Sequence, residues 1–447
     1  MTPGARLQAT IELLDALAGS TAPADATIAA FLRQRRYVGS GDRRAILERV
    51  YAVLRRRAAL GWWIERVAGP GRPAPSGRRL MLAALMLLEG NQASAVGPLF
   101  SGQRYCPAPL NDEERALLAE LEGKKLNPPE QPESVRLELP DWAEPGLRER
   151  FGTDFETEIE ALNQPASLDL RVNTLVGTRD EAIAELAAEG ITAAATPYSP
   201  LGLRVAERPA LATLDSFKRG LVEVQDEGSQ LASLLVDAQS SMRVVDFCAG
   251  AGGKTLAMAA TMRNKGVLVA CDVAKGRIDR AAVRLRRAGI HNVQRRLLAG
   301  ERDPWEKRHA GTFDRVLVDA PCTGSGTWRR NPDQRWRIGS EMLQSLIAEQ
   351  RTILDRAARL VRPGGRLVYA TCSFFRTENE DQIEAFIARD ARFALLPVAT
   401  VWSALLLGAC PSATDPATGP TLMLTPARHG TDGFFVAIIR KQDAPPA

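Results

Sequence analysis

Two cysteines stand just past the ends of short apolar strands. Cys322 follows the run Arg315-Val316-Leu317-Val318-Asp319-Ala320-Pro321, and Cys372 follows Arg366-Leu367-Val368-Tyr369-Ala370-Thr371. Upstream, Val244-Val245-Asp246-Phe247 runs into Cys248-Ala249-Gly250-Ala251-Gly252-Gly253-Lys254-Thr255, the pattern of a strand, a glycine turn and the start of a helix. In an open parallel sheet, ligands bind at the carboxyl ends of the strands. Two thiols there, beside a nucleotide-type glycine loop, point to covalent chemistry next to a bound cofactor. Neither thiol belongs to a Cys-x-x-Cys pair, which argues against metal binding and dithiol redox. His291, His309 and His429 all lie away from the loop and the cysteine strands, so neither a histidine base nor a metal site is expected.

The elements that must position these residues are spread along 447 residues, more than one average domain. An apolar fraction of 45% supports well-filled cores. The net charge of +5 comes with clustered arginines: Arg33, Arg35, Arg36, Arg43 and Arg44, then Arg55 to Arg57, then Arg284, Arg286, Arg287, Arg295 and Arg296, then Arg329, Arg330, Arg335 and Arg337. Trp62, Trp63, Trp328 and Trp336 are interleaved with them, which fits a nucleic-acid partner. Six cysteines without regular spacing, and no secretory leader, suggest a reducing, cytoplasmic setting. The longest apolar run, Leu80 to Leu88, is far too short for a membrane span of ~20 residues and reads as a buried helix.

Residues 1–125 carry helical periodicity over Ala5–Leu17, Thr27–Arg35, Gly41–Arg57 and Arg78–Glu89, which predicts an all-α domain. Lys124–Glu133, with three prolines, reads as a linker. Residues 135–235 mix strand and helix patterns and predict a small α+β domain. Residues 236–442 alternate strands with helices, which predicts βαβ units and a mostly parallel sheet. In this reading Pro363-Gly364-Gly365 is the turn before a strand over 366–370, and the loop over 410–420 is mobile.

The glycine loop fits neither a Walker A sequence, whose first glycine would fall on Cys248, nor a dinucleotide fingerprint, whose third would fall on Thr255. Asp272 lies 22 residues past Gly250 at the end of the second strand, placed to hydrogen-bond ribose hydroxyls. With Pro363-Gly364-Gly365-Arg366-Leu367-Val368, this is the layout of a class I S-adenosyl-L-methionine site. A thiolate beside such a cofactor suits a pyrimidine. Adding sulfur to carbon 6 of cytosine makes carbon 5 nucleophilic toward the sulfonium methyl, after which the carbon-5 proton and the thiol depart. A structured nucleic acid must also release the base from its stack.

Three motifs carry a specific resemblance: Cys-x-x-x-Gly-Gly-Lys-Thr, Asp-Ala-Pro-Cys-Thr-Gly-Ser-Gly-Thr, and Tyr-Ala-Thr-Cys-Ser followed by Glu378-Asn379-Glu380. With Thr431-Asp432-Gly433-Phe434-Phe435, they resemble the NOL/NOP/Sun (Fmu) family of RNA cytosine-5 methyltransferases. Leu170-Arg171-Val172-Asn173 and Val224-Gln225-Asp226-Glu227-Gly228-Ser229 resemble its segment before the catalytic domain, and residues 39–57 resemble its NusB-like helical domain. The resemblance implies a class I methyltransferase domain after an α+β unit and a NusB-like RNA-binding domain. It implies Cys372 as nucleophile, Cys322 as the cysteine that assists release, and Asp319 and Lys254 as their helpers. Cofactor-binding positions implied are Cys248, Ala249, Gly250, Ala251, Gly252, Gly253, Lys254, Asp272, Arg277 and Asp319. After the family's third strand an acidic residue usually meets the cofactor; here the acidic residues of that stretch are Glu301 and Asp303. The expected product is 5-methylcytosine in 16S rRNA, with the arginine-rich loop after Cys322 and the helical domain on the phosphates. The same chemistry on tRNA, and a catalytically silent RNA-binding assembly factor, are the alternatives.

Overall fold

The computed structural model describes residues 1–69, 74–300, 303–405, 408–411 and 419–443. Two compact units emerge, residues 1–145 with 328–338, and residues 146–327 with 339–447. The first is helical. Its long helices are Pro3–Ala18, Ala24–Gln34, Ser40–Arg55, Arg57–Ala68, Gly77–Leu87 and Asp112–Leu121. Leu13, Val50, Leu60, Leu82 and Leu118 are among the residues that fill its core. The run Leu80–Met86 is buried, as its unbroken apolarity requires. The helix expected over Gly41–Arg57 instead breaks at Arg56, which leaves the helical region with φ −120° and ψ 27°. The next helix starts there because Glu138 accepts the Ala58 and Ala59 N–H groups at 2.7 and 3.0 Å, a cap delivered from 80 residues away.

The excursion Trp328–Ile338 folds into this helical unit, and its arginines are used inside it. Arg335 is buried and donates to Glu138 O at 2.9 Å. Arg337 donates to Ser20 O at 2.9 Å and Ala22 O at 2.5 Å and pairs with Asp333. These carbonyls lie just past the C-terminus of Pro3–Ala18, where a cation is favoured. The expectation that this loop lays its arginines on phosphate is therefore corrected for Arg335 and Arg337, which hold the helical unit together.

The second unit contains two sheets. The small one is antiparallel, with strands β1 (Leu168–Val172), β2 (Ala193–Ala195), β3 (Gly202–Val205) and β4 (Val222–Val224) in the order β2-β3-β1-β4. The large one has β5 (Arg243–Asp246), β6 (Val267–Asp272), β7 (Val293–Leu297), β8 (Phe313–Asp319), β9 (Val361–Thr371), β10 (Phe393–Leu396), β11 (Leu422–Leu424) and β12 (Phe434–Lys441). Its order is β10-β12-β9-β8-β5-β6-β7, with β11 beside β12. Strands β5 to β9 pair in parallel and β10, β11 and β12 antiparallel. The fold is thus α/β with a mostly parallel sheet, after a helical N-terminal region. Because β5 lies between β6 and β8, the order reverses there, which opens a crevice at the carboxyl ends. Pro363-Gly364-Gly365 does not precede the strand but lies inside β9. The register jumps from Phe313↔Val361 to Arg315↔Arg366, and Gly364 at φ +71° absorbs the extra residues as a bulge. Most of the loop over 410–420 lies outside the described residues.

Candidate active site

The glycine loop leaves β5 and re-enters regular structure in the helix Gly253–Thr261. Gly250 and Gly252 have φ of +56° and +83°, which an L side chain rarely adopts. A Cβ on Gly252 would come within 3.1 Å of Ala281 Cβ, while one on Gly250 would project into open space. The loop is gripped from behind. Asp272 Oδ2 accepts the Gly250 N–H at 2.9 Å, Arg284 donates to Ala251 O at 2.8 Å, and Arg171 donates to Gly253 O at 3.2 Å. The other Asp272 oxygen accepts the Ala274 N–H at 2.7 Å, fixing the turn after β6.

Beside this loop lies a cavity of about 600 Å³. Cys248, Gly250, Asp272, Arg277 and Asp319 are on its wall, whereas Ala249, Ala251, Gly252, Gly253 and Lys254 do not line it. Its opposite side, absent from the sequence expectation, comes from Ala348, Thr352 and Arg356 of the helix Ser340–Leu360. Their spacing of four places them on one helix face, a signal the sequence does contain. Arg356 is held by Glu306 and donates to Gly300 O at 2.7 Å. Glu301 lies outside the described residues. Asp303 is turned to local structure: it accepts the Ala299 and Trp305 N–H groups at 2.9 Å each and pairs with Arg296. Those backbone bonds hold its carboxyl down at about 2.

The thiols meet at the neighbouring strand ends. Parallel pairing sets Asp319 opposite Ala370, so the residues after β8 and β9 come side by side. Cys322 Sγ is 3.5 Å from Cys372 Sγ. Lys254 Nζ donates to Asp319 Oδ2 at 2.6 Å, with Lys254 9% and Asp319 32% exposed, so the carboxylate faces the cavity and the ammonium lies beneath. Burial works against the Lys254 charge, but Asp319 and a thiolate at Cys372 outweigh it and hold the group above its ordinary value. The Cys322 thiol is pushed well up by its bond to Cys372 and by burial, so it keeps its proton. Burial likewise pushes the Cys248 thiol up, away from nucleophilic use.

Asp246, the last residue of β5, is not among the sequence-predicted site residues. It is buried, accepts from Thr255 Oγ1 at 2.6 Å, and burial pushes it up to about 7. Its place at a strand end before a glycine turn could have marked it. The two cysteine segments are themselves fixed: Gly326 N donates to Cys372 O at 2.9 Å, and Gly433 N to Gly326 O at 2.8 Å. Gly326 and Gly433 are packed so closely that a Cβ on Gly326 would fall 2.4 Å from Gly433 O. Among the described residues, no group of three or more His, Cys, Asp or Glu is arranged to hold a metal ion, and no helix is long and apolar enough to cross a membrane.

Residues 233–440 match the family described as 16S rRNA methyltransferase RsmB/F, and residues 139–211 match its ferredoxin-like domain. A probable ribosomal RNA small subunit methyltransferase B of Synechocystis sp. is 31% identical over 91% of this chain and 93% of its own. The chain belongs to this family. A ribosomal RNA small subunit methyltransferase B of Sodalis glossinidius is 34% identical over 77% of this chain and 72% of its own. The crystal structure of PH0851 superposes with a TM-score of 0.79 at 27% identity, covering 99% of both chains. A methyltransferase homologue from Pyrococcus horikoshii gives a TM-score of 0.58 at 27% identity over 69% of this chain and 97% of its own. The protein is accordingly a methyltransferase with S-adenosyl-L-methionine as its cofactor. The site fits that group: an open glycine cradle, a carboxylate on the wall and a cavity of about 600 Å³ stand together.

Proposed function

We propose that this methyltransferase modifies carbon 5 of a cytosine in 16S rRNA through a covalent adduct on Cys372. The observation that carries the reading is the pair of thiols 3.5 Å apart at adjacent strand ends, beside the Lys254–Asp319 pair. Cys248, Gly250, Asp272, Arg277 and Asp319 would hold the cofactor or face it, with Ala249, Ala251, Gly252, Gly253 and Lys254 shaping the cradle. When bound, the cofactor supplies an electrophilic methyl group.

Cys372 attacks as its thiolate, its proton passing to water, with the Lys254 ammonium close by. The thiolate adds to carbon 6 of the cytosine, and the carbon 5–carbon 6 double bond becomes a nucleophilic enamine. Asp319 accepts from the pyrimidine edge and orients it. After carbon 5 gains its methyl, the carbon-5 proton passes to water, the double bond re-forms, and the carbon 6–sulfur bond breaks to return the Cys372 thiolate. Cys322, protonated and in contact with Cys372, assists that release. The base enters unstacked, as RNA loops permit. Residues 1–125, read as an all-α RNA-binding domain, would contribute affinity, with 135–235 and 236–442 as the α+β and catalytic domains. A reduced thiol pair and an RNA substrate suit a cytoplasmic enzyme.

The test is methyl transfer from labelled S-adenosyl-L-methionine to unmodified 16S rRNA and, separately, to bulk tRNA, with the product nucleoside identified. Label in 5-methylcytosine from the rRNA alone supports the proposal. Label in tRNA alone would move the substrate, and binding without transfer would favour a silent assembly factor.

A further inference from the structure

Glu378 is fully buried, lies outside the cofactor cavity, and takes no part in the steps above. Its carboxylate accepts the Thr323 N–H at 2.9 Å, Thr323 Oγ1 at 2.5 Å, Gln350 Nε2 at 2.9 Å and the Ser373 hydroxyl. Thr323 directly follows Cys322, and Ser373 directly follows Cys372. One carboxylate therefore ties the two segments that carry the thiols. Gln350 adds a second tie, donating to Pro321 O at 2.9 Å, on the other side of Cys322. The main chain of Glu378 is fixed in turn, because Tyr369 Oη donates to its carbonyl at 2.7 Å.

A carboxylate has about four lone-pair sites, and here four donors fill them. A buried polar group so placed is costly unless every partner is present, so the arrangement tolerates little displacement of any donor. Three of the four donors flank a thiol. Glu378 thus adds a side-chain tie between the two thiol segments to the main-chain bond from Gly326 N to Cys372 O.

We propose that Glu378 is a positioning residue that holds the Cys322 segment against the Cys372 segment, so that Cys322 reaches the adduct and product release proceeds. The proposal rests on Cys372 as nucleophile and Cys322 as release thiol. Its signature is a defect in release with little defect in adduct formation, which a general loss of stability does not produce.

The experiment compares full-length wild type, Glu378→Gln, Thr323→Val, Cys322→Ala and Cys372→Ala on unmodified 16S rRNA. It reads first-turnover methyl transfer, steady-state turnover, and covalent adduct on a denaturing gel. Glu378→Gln replaces an acceptor with a donor; it should keep the first turnover within a few-fold, cut steady-state turnover by about 10²-fold, and accumulate adduct. Thr323→Val removes one donor at constant shape and should shift both readings the same way by about tenfold, even if Glu378→Gln does not fold. Adduct with Cys322→Ala but with neither Glu378→Gln nor Thr323→Val overturns the positioning role alone. No adduct with Cys322→Ala overturns the thiol assignment and the positioning role with it. Equal loss of first turnover and steady state, with no adduct, also overturns the positioning role.

Discussion

At the ends of β5 and β6 the main chain is the instrument, whereas at the ends of β8 and β9 buried side chains do the holding. On the cofactor side, two left-handed glycines bend the loop and Asp272 spends both oxygens on backbone N–H groups, beside a cavity of about 600 Å³. On the thiol side, Thr323, Ser373 and Gln350 converge on the Glu378 carboxylate, and the sulfurs stand 3.5 Å apart. The difference follows from what each side must do. A cofactor that enters and leaves needs a shaped, open wall. Two thiols that act on one adduct need a fixed separation and a dry surrounding. Lys254 and Asp319 join the two sides, one residue from each.

The two sides should separate most clearly at the nucleophile. Cys372→Ala should lower methyl transfer by about 10⁴-fold or more, while calorimetry shows unchanged cofactor affinity, since Cys372 is not on the cavity wall. Loss of cofactor binding as well would erase the distinction between the sides. At the junction, Lys254→Met should slow first-turnover transfer by about 10²-fold, because the charge facing the thiolate is gone. On the cofactor side, Asp272→Ala should weaken S-adenosyl-L-methionine binding by about tenfold and leave alkylation of Cys372 by iodoacetamide at its wild-type rate.

The smallest effect concerns Asp246. Burial pushes its folded-state value up to about 7, with the Thr255 bond and Lys254 pulling against it and Asp319 and Asp272 adding to it. An unfolded aspartate titrates near ~3.9, so the folded state binds this proton more tightly. Its stabilising effect is complete below the unfolded value and is lost as pH rises toward 7. Urea unfolding of wild type and Asp246→Asn should show the wild type losing about 1 kcal/mol relative to the variant between pH 6 and 7. A constant difference across that range would contradict the assignment.

The same contrast explains what the sequence made legible. Strand, glycine turn and helix are written contiguously from Val244 to Thr255, so the cradle is legible locally, and Asp272 follows from its place at the end of the next strand. Each cysteine could be placed at a strand end for the same reason. That Cys322 and Cys372 touch required the parallel β8–β9 pairing, which local pattern does not encode. Glu378 stands in a motif with Ser373, but its bonds to Thr323, and those of Gln350 to Pro321, join segments far apart in sequence and carry no local mark. The helix break at Arg56 stayed hidden because Glu138 supplies the cap from a distant segment. Proline and glycine usually punctuate, which predicts a boundary at Pro363-Gly364-Gly365; β9 instead carries them as a bulge. Sequence shows charge and not its partners, which predicts a phosphate surface from the arginines after Cys322, whereas Arg335 and Arg337 bind carbonyls.

The most direct measurement of the thiol assignment is to incubate full-length Cys322→Ala with unmodified 16S rRNA and S-adenosyl-L-methionine, digest the RNA, and map the remnant by peptide mass spectrometry. The expected result is a covalent adduct whose remnant is a carbon-5-methylated cytidine on Cys372. An adduct that forms only with Cys372→Ala, with its remnant on Cys322, would contradict it.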